Sequence, residues 1–169
     1  SRIIAFLILF SFIFYYNLSR VGEPFYYDSG QYWNLRNLFV KEGEWSLIHY
    51  NDPLRGYVFP LVLNFISILA GWLGVRDILL LAFINALTYS AGATLTIPFI
   101  IERLFHKKAN LYAILLFAAL LFVFWRGYFF YPLSDFPALY CIIFGIGISL
   151  LRGKGWLGVI LTGISMIVT

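Results

Sequence analysis

An all-α fold is what this 169-residue sequence predicts: a polytopic transmembrane helical bundle with one long extracytoplasmic loop that carries a juxtamembrane helix. Three observations predict it. The composition is 62% hydrophobic and 12% charged, with a mean hydropathy of +0.85, against roughly 45–50% apolar and about 25% charged in soluble chains. The apolar residues gather into six blocks, on the scale of the ~20 residues that span a bilayer. A single long polar stretch, 17–56, holds nine of the twenty charges. So few charges cannot coat a soluble body of 19.5 kDa. A disordered chain, a collagen, a disulfide scaffold and a nucleic-acid module are excluded on the same grounds. The net charge of +4 reads as loop bias in a membrane protein. Cys141 is the sole cysteine and lies in an apolar run, so the chain has no internal disulfide and no cysteine metal site.

Residues 1–169 read as the N-terminal part of a larger polytopic domain, because the sequence opens at Ser1 and stops at Thr169 inside an apolar run. The first block, 3–16, has no small-residue cleavage site and carries Phe12, Phe14, Tyr15 and Tyr16 to its end. It predicts a retained helix over about 3–18 rather than a signal peptide. The external loop follows at 19–56. Within it, 29–42 has an amphipathic pattern: Tyr32, Leu35 and Phe39 mark one face, Asn34, Asn37 and Lys41 the other, and Gly43 a stop. Block 57–75 contains Pro60, Asn64 and Ser67 and ends in Gly71-Trp72-Leu73-Gly74, which suits a re-entrant or juxtamembrane segment. Crossings follow at about 77–101, 110–126, 135–151 and 155–169, the last two separated by a tight turn.

Lysine and arginine favour the cytoplasmic side. The basic loops 103–108 and 152–154 lie two crossings apart and share a face, which the rule assigns to the cytoplasm. With Arg2 also inside, loop 19–56 and Asp135 lie outside. Block 57–75 then begins and ends outside, giving five crossings and one block that does not cross. Asp28 and Asp135 fall on one extracytoplasmic face.

No metal-ligand spacing, P-loop, nucleophile elbow or dinucleotide fingerprint occurs. Chemistry is left to a few charged residues at the membrane edge. Asp28 can serve as the N-cap of the loop helix, with Gln31 completing a capping-box pattern. It can equally face an aromatic cavity at the membrane edge, where partial desolvation suits a carboxylate to take a proton from a nucleophile. In Ser134-Asp135-Phe136-Pro137, either Ser134 or Asp135 can cap the following helix, with the proline in its first turn. Asp135 is also the only acid after Glu102, and an acid at a bilayer edge is a functional candidate. Arg20, Arg36, Arg55, Arg76 and Arg126 can anchor the interface or pair locally; as a set beside two acids they suit an anionic lipid headgroup.

The order of these features resembles the GT-C-fold glycosyltransferases that take sugar from a polyprenyl-phosphate donor, such as protein O-mannosyltransferases and the aminoarabinose transferases of lipid A. Those families carry Asp-Glu-x-x-Tyr at the start of the first external loop, then Gly-(Asp/Glu)-Trp, then a proline-containing apolar stretch ending in glycine. Here Asp28-Ser-Gly-Gln-Tyr32, Gly43-Glu44-Trp45, Pro60 and Gly71 or Gly74 stand in that order. Arg76 matches the arginine that opens the next helix, and Asp135-Phe-Pro-Ala-Leu matches an aspartate of the second external loop. Ser29 stands where the families have the paired glutamate. The resemblance implies a GT-C-like fold and an inverting transfer outside the cytoplasm, with Asp28 as general base. It implies substrate-binding roles for Tyr32, Arg36, Arg55, Arg76 and Asp135, the arginines stabilising a departing lipid phosphate. Asp135 would position the acceptor or headgroup, or help bind a divalent cation. The implied partners are a lipid-linked sugar donor, a glycan, lipid or protein acceptor, and membrane lipids, with no nucleic acid. Short loops and a bundle rich in Phe and Ile suit a prokaryotic inner membrane.

Two rival readings belong to other classes. A transporter or flippase fragment would use interrupted blocks such as 57–75 and 88–98 near the bilayer midplane. An assembly subunit would use loop 17–56 to dock a partner protein and would tolerate Asn at both Asp28 and Asp135.

Overall fold

The computed structural model describes residues 2–42, 57–151, 155–156, 158–160 and 163. Among these the chain is all-helical; its only β feature is an isolated bridge between Val21 and Glu23. The α-helices delimited among the described residues are α1 Arg2–Ser19, α2 Tyr27–Glu42, α3 Val58–Leu73, α4 Asp77–Ala91, α5 Ile97–Phe105, α6 Leu111–Trp125 and α7 Asp135–Ser149. A π-helical segment, Gly92–Thr96, joins α4 to α5 without a break, and a 3-10 turn, Arg126–Tyr128, extends α6. Among the described residues three helices are long and apolar enough to cross a membrane: Arg2–Ser19, Asp77–Phe105 and Leu111–Tyr128. Helices α3 and α7 are apolar but shorter. Gly43, Glu44, Trp45 and Arg55, and most of the crossing expected at 155–169, lie outside the described residues.

Helix α1 buries Ala5, Leu9, Ile13 and Asn17, one residue per turn on a single stripe. The facing stripe on α4 includes Ala82, Ala86 and Ser90, whose small side chains let the two backbones approach closely. The Asn17 amide donates to the Ala82 carbonyl at 3.1 Å. At the far end Arg2 pairs with Glu102, whose other oxygen accepts the Ala109 N–H at 2.9 Å. Helix α1 therefore runs antiparallel along the whole of α4–α5. The outward faces of α1 and α6 expose Ile4, Leu7, Ile8, Leu116, Leu120 and Phe124 among others. Leaving one such side chain in water costs about 1.5–3 kcal/mol relative to burying it, so rows of this kind exceed the ~5–15 kcal/mol stability of a domain. These faces fit lipid, as expected of an integral membrane protein.

Neither expected interruption is a break. Pro60 is the third residue of α3, inside the first turn, where its missing N–H has no helical acceptor to lose. Gly71 is tolerated within α3, and the helix stops at Gly74, which takes a φ of 66°. The Gly74 N–H donates to Gly71 O and the Val75 N–H to Ala70 O, the double closure of a Schellman end. Pro98 explains the π segment: a proline cannot donate to the carbonyl four residues back and clashes with it. The helix widens for one turn just before it and continues. Tyr140 of α7 lies over Gly92, where an added Cβ would stand 2.7 Å from the ring, and Gly147 of α7 fits in the same way against Thr96.

Two apolar clusters follow. One joins α1, α4, α6 and α7 through Ile13, Ala86, Tyr89, Ala118, Phe136 and Tyr140, with Phe129 between Tyr89 and Phe136. The other joins α2, α3 and α4 through Tyr32, Phe59, Leu63 and Leu81.

Candidate functional site

The site is built from the segment after α1, the start of α2, and the segment between α6 and α7. After α1 the chain turns tightly: the Arg20, Val21 and Glu23 N–H groups return to Asn17, Leu18 and Arg20 carbonyls. Gly22 has a φ of 111°, which strongly favours glycine. Phe25 then pins the segment, its ring 5.0 Å from Trp33 and 5.6 Å from Phe130. Helix α2 begins at Tyr27, so Asp28 lies in its first turn rather than preceding it as a cap. Ser29 is buried and donates to Tyr26 O at 2.6 Å. Gly30 sits so close beneath Phe25 O that an added Cβ would be 2.9 Å from it.

On the other wall, the segment after Trp125 buries Phe129, Phe130 and Pro132 and presents Tyr128 and Tyr131. Ser134 holds the capping position of α7, but its side chain makes no capping bond. Its hydroxyl pairs instead with that of Tyr32 at 3.2 Å, both groups buried. The Tyr131 hydroxyl donates to Glu23 Oε2 at 3.3 Å, and Arg20 reaches the same oxygen at 3.2 Å. Burial first, then the negative charge of Glu23, pushes the Tyr131 phenol above the ordinary tyrosine value.

Asp28 and Asp135, more than a hundred positions apart in sequence, line one groove of about 410 Å³, with Tyr26, Tyr27, Tyr128 and Tyr131. Both aspartates are exposed, so the carboxylates are accessible rather than desolvated. Beneath lies an apolar cavity of about 220 Å³ between α3, α4 and α7, lined by Phe59, Leu63, Ile84 and Phe144 among others. Groove and cavity share Tyr128, Tyr131 and Leu133.

The remaining candidates are placed elsewhere. Tyr32 is buried against Phe59, centroids 4.9 Å apart, and reaches Ser134 rather than the groove. Arg36 is buried too: it pairs with Asp77, donates to Ser67 Oγ at 2.9 Å, and lies 3.6 Å over the Trp33 ring. Its guanidinium ties α2, α3 and α4 together. Arg76 is exposed and lines a second groove with Trp33, Asn34 and Asp77. Arg55 lies outside the described residues. Sequence reasoning passed over Ser134's partner, the Tyr128–Tyr131 wall and Asp77. Only Asp77 left a usable signal, as an acid beside Arg76 at the start of an apolar run. Among the described residues no group of three or more His, Cys, Asp or Glu side chains could hold a metal ion.

Comparison of the chain with family models, with curated proteins and with solved structures finds no match in any of the three.

Proposed function

We propose that this chain is part of a membrane glycosyltransferase that moves a sugar from a polyprenyl-phosphate donor to an extracytoplasmic acceptor with inversion. The observation that supports the reading best is the groove that carries Asp28 and Asp135 above an apolar cavity. That pairing suits an amphipathic ligand, with its reacting headgroup beside the carboxylates and the start of its tail among aromatic and aliphatic side chains. Asp28 is the general base: it removes the proton of the acceptor hydroxyl or amine as that group attacks the anomeric carbon and the lipid phosphate departs. Asp135 positions the headgroup or the acceptor. In the cation-dependent form of this reading Asp135 would help hold a divalent cation, with phosphate and water oxygens as its other ligands. In this reading α3 stays at the groove end of the bundle. Two contacts support that: Phe59 packs on the Tyr32 that bonds Ser134, and Ser67 shares Arg36 with Asp77. The membrane is a prokaryotic inner membrane, with the groove outside.

The test uses the full-length protein in membranes of its own host, supplied with undecaprenyl-phosphate-linked hexose and pentose. Released undecaprenyl phosphate is followed by mass spectrometry. Asp28→Asn keeps the shape of the side chain and should lower turnover by about 10²–10⁴-fold, the usual contribution of a general base. Unchanged turnover in that variant would remove the mechanism.

A further inference from the structure

The second groove, of about 480 Å³, lies on the other side of the segment that forms the Asp28 wall. Residues 26–29 of that segment line the acid groove, whereas Gly22, Glu23, Pro24, Phe25 and Gly30 line the second. The opposite wall is Arg76, Asp77 and Ile78 at the start of α4, and α2 contributes Trp33 and Asn34. We propose that this groove is a separate binding site for an acidic sugar, a saccharide unit bearing one negative charge.

The charge follows from which groups are already satisfied. Asp77 is paired with Arg36, and its other oxygen accepts the Ile78 N–H at 2.8 Å. Glu23 is shared by Arg20 and Tyr131. Arg76 adds a positive charge that these pairs do not cancel, and its planar fork suits a carboxylate or phosphate oxygen pair. The saccharide follows from the rest of the lining. Trp33 is held in orientation by Arg36 on its ring and by Phe25 at its side, and remains partly exposed. The part of this fixed indole that Arg36 and Phe25 leave uncovered offers an apolar surface to the C–H face of a sugar ring at little entropic cost. Asn34 supplies an amide donor and acceptor for hydroxyls. A simple inorganic anion would use Arg76 and leave this aromatic and amide surface idle. The site stands apart from the transfer reading, because no group in it takes part in the chemistry assigned to Asp28.

The test is saturation-transfer NMR on the full-length protein in phosphatidylcholine nanodiscs, titrated with glucuronate, with glucose and with acetate. Glucuronate should bind with millimolar affinity and at least about tenfold better than glucose or acetate. Arg76→Gln should weaken it about tenfold, and Arg76→Lys should restore part of the loss; Arg76 is exposed, so neither variant threatens the fold. Asp28→Asn should leave binding unchanged, which separates this site from the acid groove. Adding glucuronosyl diacylglycerol to the nanodiscs tells the source of the sugar: competition with free glucuronate marks a lipid headgroup, and no competition marks a free or polymeric saccharide. Equal binding of glucose, equal binding of acetate, absence of binding, or undiminished binding by Arg76→Gln each overturns the proposal.

Discussion

The hydroxyl pair of Tyr32 and Ser134 is the smallest unit on which the acid groove depends. Tyr32 lies one helical turn after Asp28, and Ser134 immediately precedes Asp135, so this 3.2 Å bond joins the two acidic segments directly, beside the Glu23–Tyr131 bond and the Phe25–Phe130 contact. Tyr32→Phe leaves the ring against Phe59 and removes the bond to Ser134. Thermal unfolding should show a loss of about 1 kcal/mol, and the proposed transfer should fall about tenfold through kcat, because misplacement of reacting groups costs more than the bond itself. Lost stability with unchanged kcat would reduce Tyr32 to a packing residue. Tyr131 sets a pH limit at the same scale. Its folded value is raised, so its bond to Glu23 is fully present below the ordinary tyrosine value of ~10 and is lost as pH rises through the raised one. Phenolate absorbance of the wild type minus that of Tyr131→Phe should show one tyrosine ionising at higher pH than a free phenol. The short motif around Asp28 was legible in the sequence as a candidate. The uses of Tyr32 and Arg36 were not, since both are decided by partners at Ser134, Ser67 and Asp77, which no local pattern connects to them.

Among the elements, the long helical run Asp77–Phe105 is the most exacting. Its π segment places Gly92 directly under the Tyr140 ring. Gly92→Ala introduces a methyl group 2.7 Å from that ring and should destabilise the protein by about 1–3 kcal/mol. A double-mutant cycle with Tyr140→Ala should recover part of the loss; additive effects would mean that the two residues do not press on each other. Helical character was readable throughout, because apolar runs of this length have few alternatives. What periodicity did not reveal was that Pro60 leaves α3 intact and that the continuous run through Pro98 widens into a π segment before it. A proline's effect depends on its distance from the helix start and on whether the turn before it can widen, and composition records neither.

In the whole molecule, the groove and the Arg2–Glu102 pair lie at opposite ends of the bundle, and α3 packs at the groove end. This arrangement is open to labelling in intact cells. In a Cys141→Ala background, single cysteines at Tyr27 and Gly127, both exposed, should react with a membrane-impermeant thiol reagent, and one at Lys107 should not. Reaction at only one of the first two positions would mean that α3 crosses the bilayer, and it would place the two aspartates on different sides. The charged side chains also divide between the ends. Near the grooves the described Arg20, Arg36, Arg76 and Arg126 are matched by Glu23, Asp28, Asp77 and Asp135. At the Arg2 end Glu102 stands alone against Arg2, Arg103, Lys107 and Lys108. That end therefore carries three uncompensated positive charges among the described side chains. A transmembrane potential acts on each elementary charge with about 2.3 kcal/mol per 100 mV, so carrying these three charges across a polarised bilayer changes their energy by about 7 kcal/mol per 100 mV. In the proposed orientation, with the groove outside, the voltage across an energised membrane would act on these charges to hold the basic end on the negative side.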